Sequence, residues 1–157
     1  MRIPPYAFGP LYRIRKVYRR IVKPTTFGVK ALIIHPSDAG RVLLVRHSYG
    51  NRSLWRLPGG GYRPTRETPE QAARRECMEE LGLALRSCAL LLEEHLTTAE
   101  GRQRYQKVVV AHAVSDGLVR NGEIAEARWV AIDLTDLPGG SAVSTWVRRA
   151  LKAHTAA

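Results

Sequence analysis

The stretch from Leu57 to Leu83, LPGGGYRPTRETPEQAARRECMEELGL, constrains this chain more than any other. It opens with Pro58 and three consecutive glycines and runs into a helix whose two ends are both written in the sequence. Thr68 is a good N-cap, Pro69 suits the first helical position, and Gln71 completes a Thr-x-x-Gln capping box. Gly82 closes the helix as the residue just past its C-terminus. At 100° per residue, Glu79, Glu76 and Glu80 fall at about −20°, +40° and +80° around Ala72, a fan about 100° wide. Ala73, Cys77 and Leu81 form the neighbouring apolar face, so these acids border a core.

Like charges at i, i+3 and i+4 cost an isolated helix about 0.2–0.5 kcal/mol per pair, and more once partly desolvated. A divalent cation removes the conflict. Hard oxygen ligands suit Mg²⁺ or Mn²⁺ and not zinc, and the small Ala72 at the centre of the fan is expected to leave room for the ion. The competing reading is an exposed helix with a solvated acidic face, offset by Arg74 and Arg75, with Arg75 facing Glu79 at i, i+4. Gly59, Gly60 and Gly61 favour the metal reading, because glycines let backbone groups approach a ligand closely.

Around this segment the chain alternates in a way that suggests a mixed sheet between helices. Residues 27–34 and 41–47 read as strands joined by a polar turn at 36–40. Ser53 to Leu57 is short and extended. Strands are expected near 86–95, 105–115 and 127–132, with a turn at Asn121-Gly122 and a break at 137–140. Val143, Trp146, Val147, Ala150 and Leu151 mark a final helix by their i, i+3, i+4, i+7, i+8 stripe, which is core.

Seven of the 25 basic residues, and none of the 14 acidic ones, lie in residues 1–24. Of the net charge of +11, +7 therefore sits in a leader, and the remaining 133 residues are only mildly basic. Leu11, Ile14, Val17, Tyr18, Ile21 and Val22 recur at helical spacing among the arginines, and Lys23-Pro24 stops the pattern. We read residues 1–24 as a basic amphipathic extension and 25–157 as the main domain. The extension either packs on the domain or meets an anionic membrane surface, a nucleic acid or a partner subunit. The oligomeric state is open, a homodimer included.

Cys77 and Cys88 are too few for a disulfide scaffold and lack metal-ligand spacing, so both are expected as small buried hydrophobes. No apolar run reaches the roughly 18–20 residues needed to span a bilayer, and charges interrupt the N-terminus too often for a signal peptide. The expected location is cytoplasmic.

Gly61, Glu67, Arg75, Glu76, Glu79, Glu80, Gly82 and Leu83 stand at the fixed spacings of the Nudix box, and the segment resembles that family at every fixed position. Cys77 fills an aliphatic slot less typically. Leu54-Trp55 with Leu57-Pro58 before the box, and Glu123, Glu126 and Trp129 after it, are also similar. The resemblance implies an α/β/α sandwich with a mixed β-sheet, and a Mg²⁺-dependent hydrolase (Mn²⁺ as substitute) that cleaves a phosphoanhydride in a nucleoside diphosphate linked to another moiety.

Carried over, Glu79 and Glu80 would bind the metal together with the Gly60 carbonyl. Glu76 would be a ligand or the general base. Glu67 would support the metal shell and Arg75 would orient the carboxylates. Glu123 resembles a downstream acid in several members, with Glu126 as competitor. Pro64 and Arg66 depart from the usual Glu and Gly of the loop; Arg66 either reaches a substrate phosphate or is solvated. Trp55 and Tyr105 are candidates to stack on a base, and Arg46 and Arg56 to hold phosphate, with packing or a surface position as the competing reading of each. Two rival readings stay open: an RNA 5′-end pyrophosphohydrolase using the basic leader, and a nucleotide-binding regulator without turnover.

Overall fold

The computed structural model describes residues 25–157; the amphipathic extension read in residues 1–24 lies outside them. Eight strands and two helices follow in chain order: β1 (Thr26–Ile34), β2 (Arg41–His47), β3 (Leu54–Trp55), β4 (Gly59–Gly61), α1 (Pro69–Leu81), β5 (Leu85–Thr97), β6 (Gln103–Ala113), β7 (Ile124–Ala131), β8 (Ala142–Val143) and α2 (Thr145–Thr155). The main sheet runs β5-β6-β1-β2-β7, with β4 added along β1. β1 and β6 are parallel and its other pairs antiparallel, so the sheet is mixed.

Alternation along β1 assigns the two layers. Val29, Ala31 and Ile33 enter one core with Ala72, Ala73, Cys77 and Leu81 of α1. Leu32 and Ile34 enter a second core with Val147, Ala150 and Leu151 of α2. A period of two on a strand and 3.6 on a helix meet here face to face. Of the stripe predicted for the last helix, Val147, Ala150 and Leu151 are buried in this core and Trp146 packs against it, whereas Val143 lies in β8, ahead of the helix, paired with Trp55; the sandwich is helix, sheet, helix. Among the described residues no helix is long and apolar enough to cross a membrane.

Three differences from the sequence reading have simple causes. The three glycines pair with β1 as a short strand, Gly28 to Gly61, Val29 to Gly60 and Lys30 to Gly59, where a free loop was expected. Gly59 has φ 142°, and a Cβ there would lie 2.1 Å from the Val29 carbonyl oxygen, so only glycine lets the two backbones come this close. The strand expected at 127–132 begins three residues earlier, because Ile124 is buried and the chain pairs with β2 directly after the Asn121-Gly122 turn. Cys88 is half-buried and not fully enclosed like Cys77.

One irregularity positions the site. β1 meets β2 at Ile34 and Val42, and then the strands part. The segment 54–61 enters the gap, giving Arg56 to β2 through Val45 (2.8 and 2.9 Å) and the glycines to β1. The sheet opens into a cleft at this end.

Candidate functional site: an acidic cleft beside a glycine strand

Helix α1 forms for the reasons its sequence gives. The Thr68 hydroxyl accepts from the Gln71 amide at 3.2 Å, and the Gln71 side chain accepts from the Thr68 amide at 2.9 Å. Gly82 ends the helix in the left-handed region, its amide donating to Met78. Ala73, Cys77 and Leu81 fix the rotation of α1 by burial, so the acids come out along the cleft.

Gly60, Arg66, Glu67, Arg75, Glu76, Glu79, Glu80 and Glu123 all line one open cavity of about 1270 Å³. The acids differ in setting. Glu80 is buried, and one of its carboxyl oxygens has no hydrogen-bond partner. Burial first, then the charges of Glu76 and Glu123, raise its pKa to about 8, against the pull of the Gly59 amide and Lys30. Glu76 is mostly buried and its pKa is also raised by desolvation, opposed by Arg75. Glu79 is exposed.

Arg75 organises this group. It donates to Glu67 at 2.7 and 3.1 Å, to Glu76 at 2.9 Å, to Glu79 at 3.4 Å and to the Gly61 carbonyl at 3.3 Å. The hydrogen bonds to Arg75 hold the Glu67 carboxyl below its usual pKa. With the carboxylates leaning on this guanidinium, no three His, Cys, Asp or Glu side chains among the described residues converge as a ready ligand set.

The residues nonetheless fit a cation. An orphaned buried carboxyl oxygen on Glu80, held with Glu76 and Glu123 at a price in repulsion, is what a positive ion would relieve. Gly60 lets the Glu76 carboxyl lie against its backbone: a Cβ there would stand 2.6–2.8 Å from that carboxyl. Ala72 does not have the role expected of it: it is fully buried in the α1-side core and does not border the cavity.

Glu123 reaches the cleft from far along the sequence because its loop is tied down twice. Ser48 bonds the Gly122 and Glu123 carbonyls (2.7 and 2.9 Å), and the Asn121 amide donates to the Glu80 carbonyl at 2.9 Å. Its competitor Glu126 is turned away and paired with Arg46 and Arg128, which hold its pKa down.

The candidates for substrate contact are not brought to the cavity in the way the sequence suggested. Trp55 is 3% exposed in the α2-side core, its ring covered by Arg46 at 5.2 Å and Arg128 at 6.0 Å. Arg46 is occupied by Glu126. Tyr105 stacks between Phe27 (5.1 Å) and His95 (4.2 Å) as cross-strand neighbours, outside the cavity lining. Arg56 projects into the sheet opening beside Lys30 and His47. Sequence reasoning missed Phe27 and Tyr49, which line the cavity, and Lys30, whose charge acts on Glu80. Lys30 alone carried a signal, as a lysine inside the otherwise apolar strand FGVKALII.

A helix–sheet–helix sandwich with a glycine strand leading into an acid-bearing helix at a split sheet defines a class of fold. The NUDIX domain model matches residues 26–149. A MutT NUDIX hydrolase structure from Burkholderia pseudomallei superposes with TM-score 0.66 at 30% identity, over 82% of this chain and 96% of that one. The NUDIX domain of Shewanella oneidensis NrtR, solved with ADP ribose, has TM-score 0.66 at 19% identity, over 84% of this chain and 87% of that one, a likeness of fold alone. In sequence, an RNA pyrophosphohydrolase of Pseudomonas savastanoi pv. phaseolicola is 43% identical over 63 residues, 40% of this chain and 38% of that protein. The match therefore spans well under half the length of that relative. The chain belongs to the NUDIX hydrolase family.

Proposed function

We propose that the cleft is the active site of a Mg²⁺-dependent hydrolase that cleaves a phosphoanhydride bond in a nucleotide-type substrate. The observation that carries this reading is the buried Glu80 carboxyl with an orphaned oxygen, beside Gly60 and Glu76. Glu80, Glu79 and the Gly60 carbonyl would hold the cation, with Glu76 either a further ligand or the general base. When bound, Mg²⁺ supplies positive charge to phosphate oxygens and lowers the pKa of water.

The chain's own groups do the rest. Water oxygen attacks phosphorus, the bridging P–O bond breaks, and the leaving phosphate departs with the bridging oxygen. Glu76 or Glu123, both facing the cavity, accepts the water proton. Arg75 keeps Glu67, Glu76 and Glu79 in place, so the acids need little reordering before reaction. The open cavity of about 1270 Å³ is large enough for a nucleotide.

A narrower reading, an RNA 5′-end pyrophosphohydrolase, is favoured by the 63-residue resemblance to the Pseudomonas protein and by the acid-free basic leader. Salt-sensitive RNA binding that maps to residues 1–24 would support it. The deciding experiment is a turnover screen in Mg²⁺ and Mn²⁺. It takes nucleoside triphosphates, nucleotide sugars, ADP-ribose and 5′-triphosphate RNA, with the products identified. Metal-dependent release of phosphate or pyrophosphate is expected. Nucleotide binding without turnover on any substrate would favour a regulator instead.

A further inference from the structure

Five glutamates and three arginines line the cleft, and the metal reading uses only one of the arginines. Arg75 is spent on Glu67, Glu76 and Glu79. Arg63 and Arg66 belong to the loop between the glycine strand and α1, and both are exposed. Among the described residues, neither forms an ion pair or a side-chain hydrogen bond.

The loop brings the two arginines together. The Arg66 amide donates to the Arg63 carbonyl at 2.9 Å, and the Glu67 amide donates to the same carbonyl at 3.2 Å. This closes a turn over Arg63-Pro64-Thr65-Arg66, with Pro64 at the position its fixed φ suits. A turn of this kind holds its first and last Cα atoms within about 7 Å. Both ends of the loop are tied to the acid cluster, because Arg75 donates to the Gly61 carbonyl at 3.3 Å and to the Glu67 carboxyl at 2.7 Å. Arg66 also lines a smaller neighbouring cavity of about 420 Å³, which Arg63 does not border.

Charge therefore changes sign along the cleft. Its lining is anionic at buried Glu80 and half-buried Glu76, and it carries two unpaired guanidiniums on the exposed loop. A guanidinium fork matches the oxygens of a phosphate. The chain upstream adds to the same charge. Thr25 and Thr26 line this cleft, so residues 1–24 join the domain here, with seven basic residues and no acidic one. A free nucleotide whose phosphates meet the metal has no anion left for so many cations, whereas a nucleic-acid strand repeats its phosphate at every nucleotide.

We propose that Arg63 and Arg66 bind the phosphodiester backbone of a single-stranded nucleic acid whose 5′ polyphosphate end lies in the cleft, so that such a strand is preferred over a free nucleotide. This rests on the reading of the cleft as a phosphoanhydride-cleaving site. It makes Arg63 and Arg66 specificity-determining residues, which hold the part of the substrate that does not react.

The test compares the full-length protein with the double variant Arg63→Gln/Arg66→Gln. In Mg²⁺, kcat/KM is measured for a short RNA with a 5′-triphosphate and for a nucleoside triphosphate, and the ratio of RNA to nucleotide is the readout. The double variant should lower that ratio about tenfold. A ratio within threefold of the parent, whether both substrates suffer or neither does, overturns the proposal. The second arm needs no turnover. Fluorescence anisotropy follows a 3′-labelled RNA of the same sequence with a 5′-hydroxyl, across salt from about 50 to 200 mM. The slope of log K against log salt should become shallower by about 1.4, from about 0.7 for each lost phosphate contact. The leader is present in both proteins, so the difference reports the loop, and an unchanged slope overturns the proposal. If no substrate is turned over, the hydrolase reading fails and the salt slope alone judges the arginine pair. Both arginines are exposed and unpaired, so the melting temperature should match the parent's; if the double variant fails to fold, Arg63→Gln carries the test with a slope change of about 0.7.

Discussion

Replacing Glu80 by Gln separates a residue kept for structure from one kept for a ligand. In metal-free protein its carboxyl titrates at about 8, raised from 4.5 by burial and then by Glu76 and Glu123. The unfolded chain ionises near 4.5, so the folded state carries the group without penalty only below that pH. Stability is then lost as pH rises through about 8. At about 1.4 kcal/mol per pH unit, the penalty is on the order of 3 kcal/mol at pH 7 and of 5 kcal/mol above pH 8. Glutamine is isosteric and neutral, and allowing half of the penalty to be relieved by local opening leaves about 2 kcal/mol of stabilisation near neutral pH. That corresponds to a rise in Tm of roughly 4–8 °C for a domain of this size.

The assay is thermal unfolding of parent and Glu80→Gln in EDTA from pH 5 to 8.5. Lys30 and His47 are present in both proteins, so the difference reports Glu80 together with its coupling to Glu76, Glu123 and Lys30. The variant should melt higher, by a margin that widens with pH, while Mg²⁺-dependent turnover falls at least about a hundredfold. A variant that melts lower throughout, or a gap that does not grow with pH, refutes the claim that this acid is destabilising without its ion.

Other perturbations should sort structure from chemistry. Gly60→Ala pushes a methyl to within 2.6–2.8 Å of the Glu76 carboxyl without demanding a left-handed backbone. It should cost about a hundredfold in kcat/KM with little change in urea stability. Gly59→Ala, at φ 142° and 2.1 Å from the Val29 carbonyl, should instead destabilise the fold by about 3 kcal/mol or more in urea unfolding, since a backbone neighbour cannot step aside. Trp55→Ala should cost about 3–5 kcal/mol in the same assay, because the ring fills the α2-side core. KM of the folded fraction should stay unchanged, and a KM effect at constant stability would restore the base-stacking role.

The helix was legible to the residue because its signals are local: Thr68, Pro69 and Gln71 at one end and Gly82 at the other need no tertiary information. The strands were legible to within a few residues, because alternation marks a strand without marking where pairing ends. What failed was anything set by the sheet's splitting. A triple glycine reads as a loop, and only the approach of β1 makes it a strand. Trp55 and Tyr105 looked available to a base because sequence gives no sign of which face an aromatic ring takes. One was spent on the core and the other on a cross-strand stack. The choice between Glu123 and Glu126 was likewise invisible, since it depends on Arg46 and Ser48, whose contacts lie 75–80 residues away in the chain. Ala72 sits at the centre of the acid fan by helical geometry, yet it is buried in the core, and the backbone that the Glu76 carboxyl approaches closely is that of Gly60 on another element.

The most direct measurement is a crystal structure of the full chain with Mg²⁺ and a non-hydrolysable nucleoside triphosphate. The account predicts an ion coordinated by Glu80, by Glu79 or Glu76 and by the Gly60 carbonyl, touching phosphate oxygens inside the cleft. Carboxylates of α1 turned to bulk water, with metal and nucleotide bound elsewhere on the protein, would contradict it.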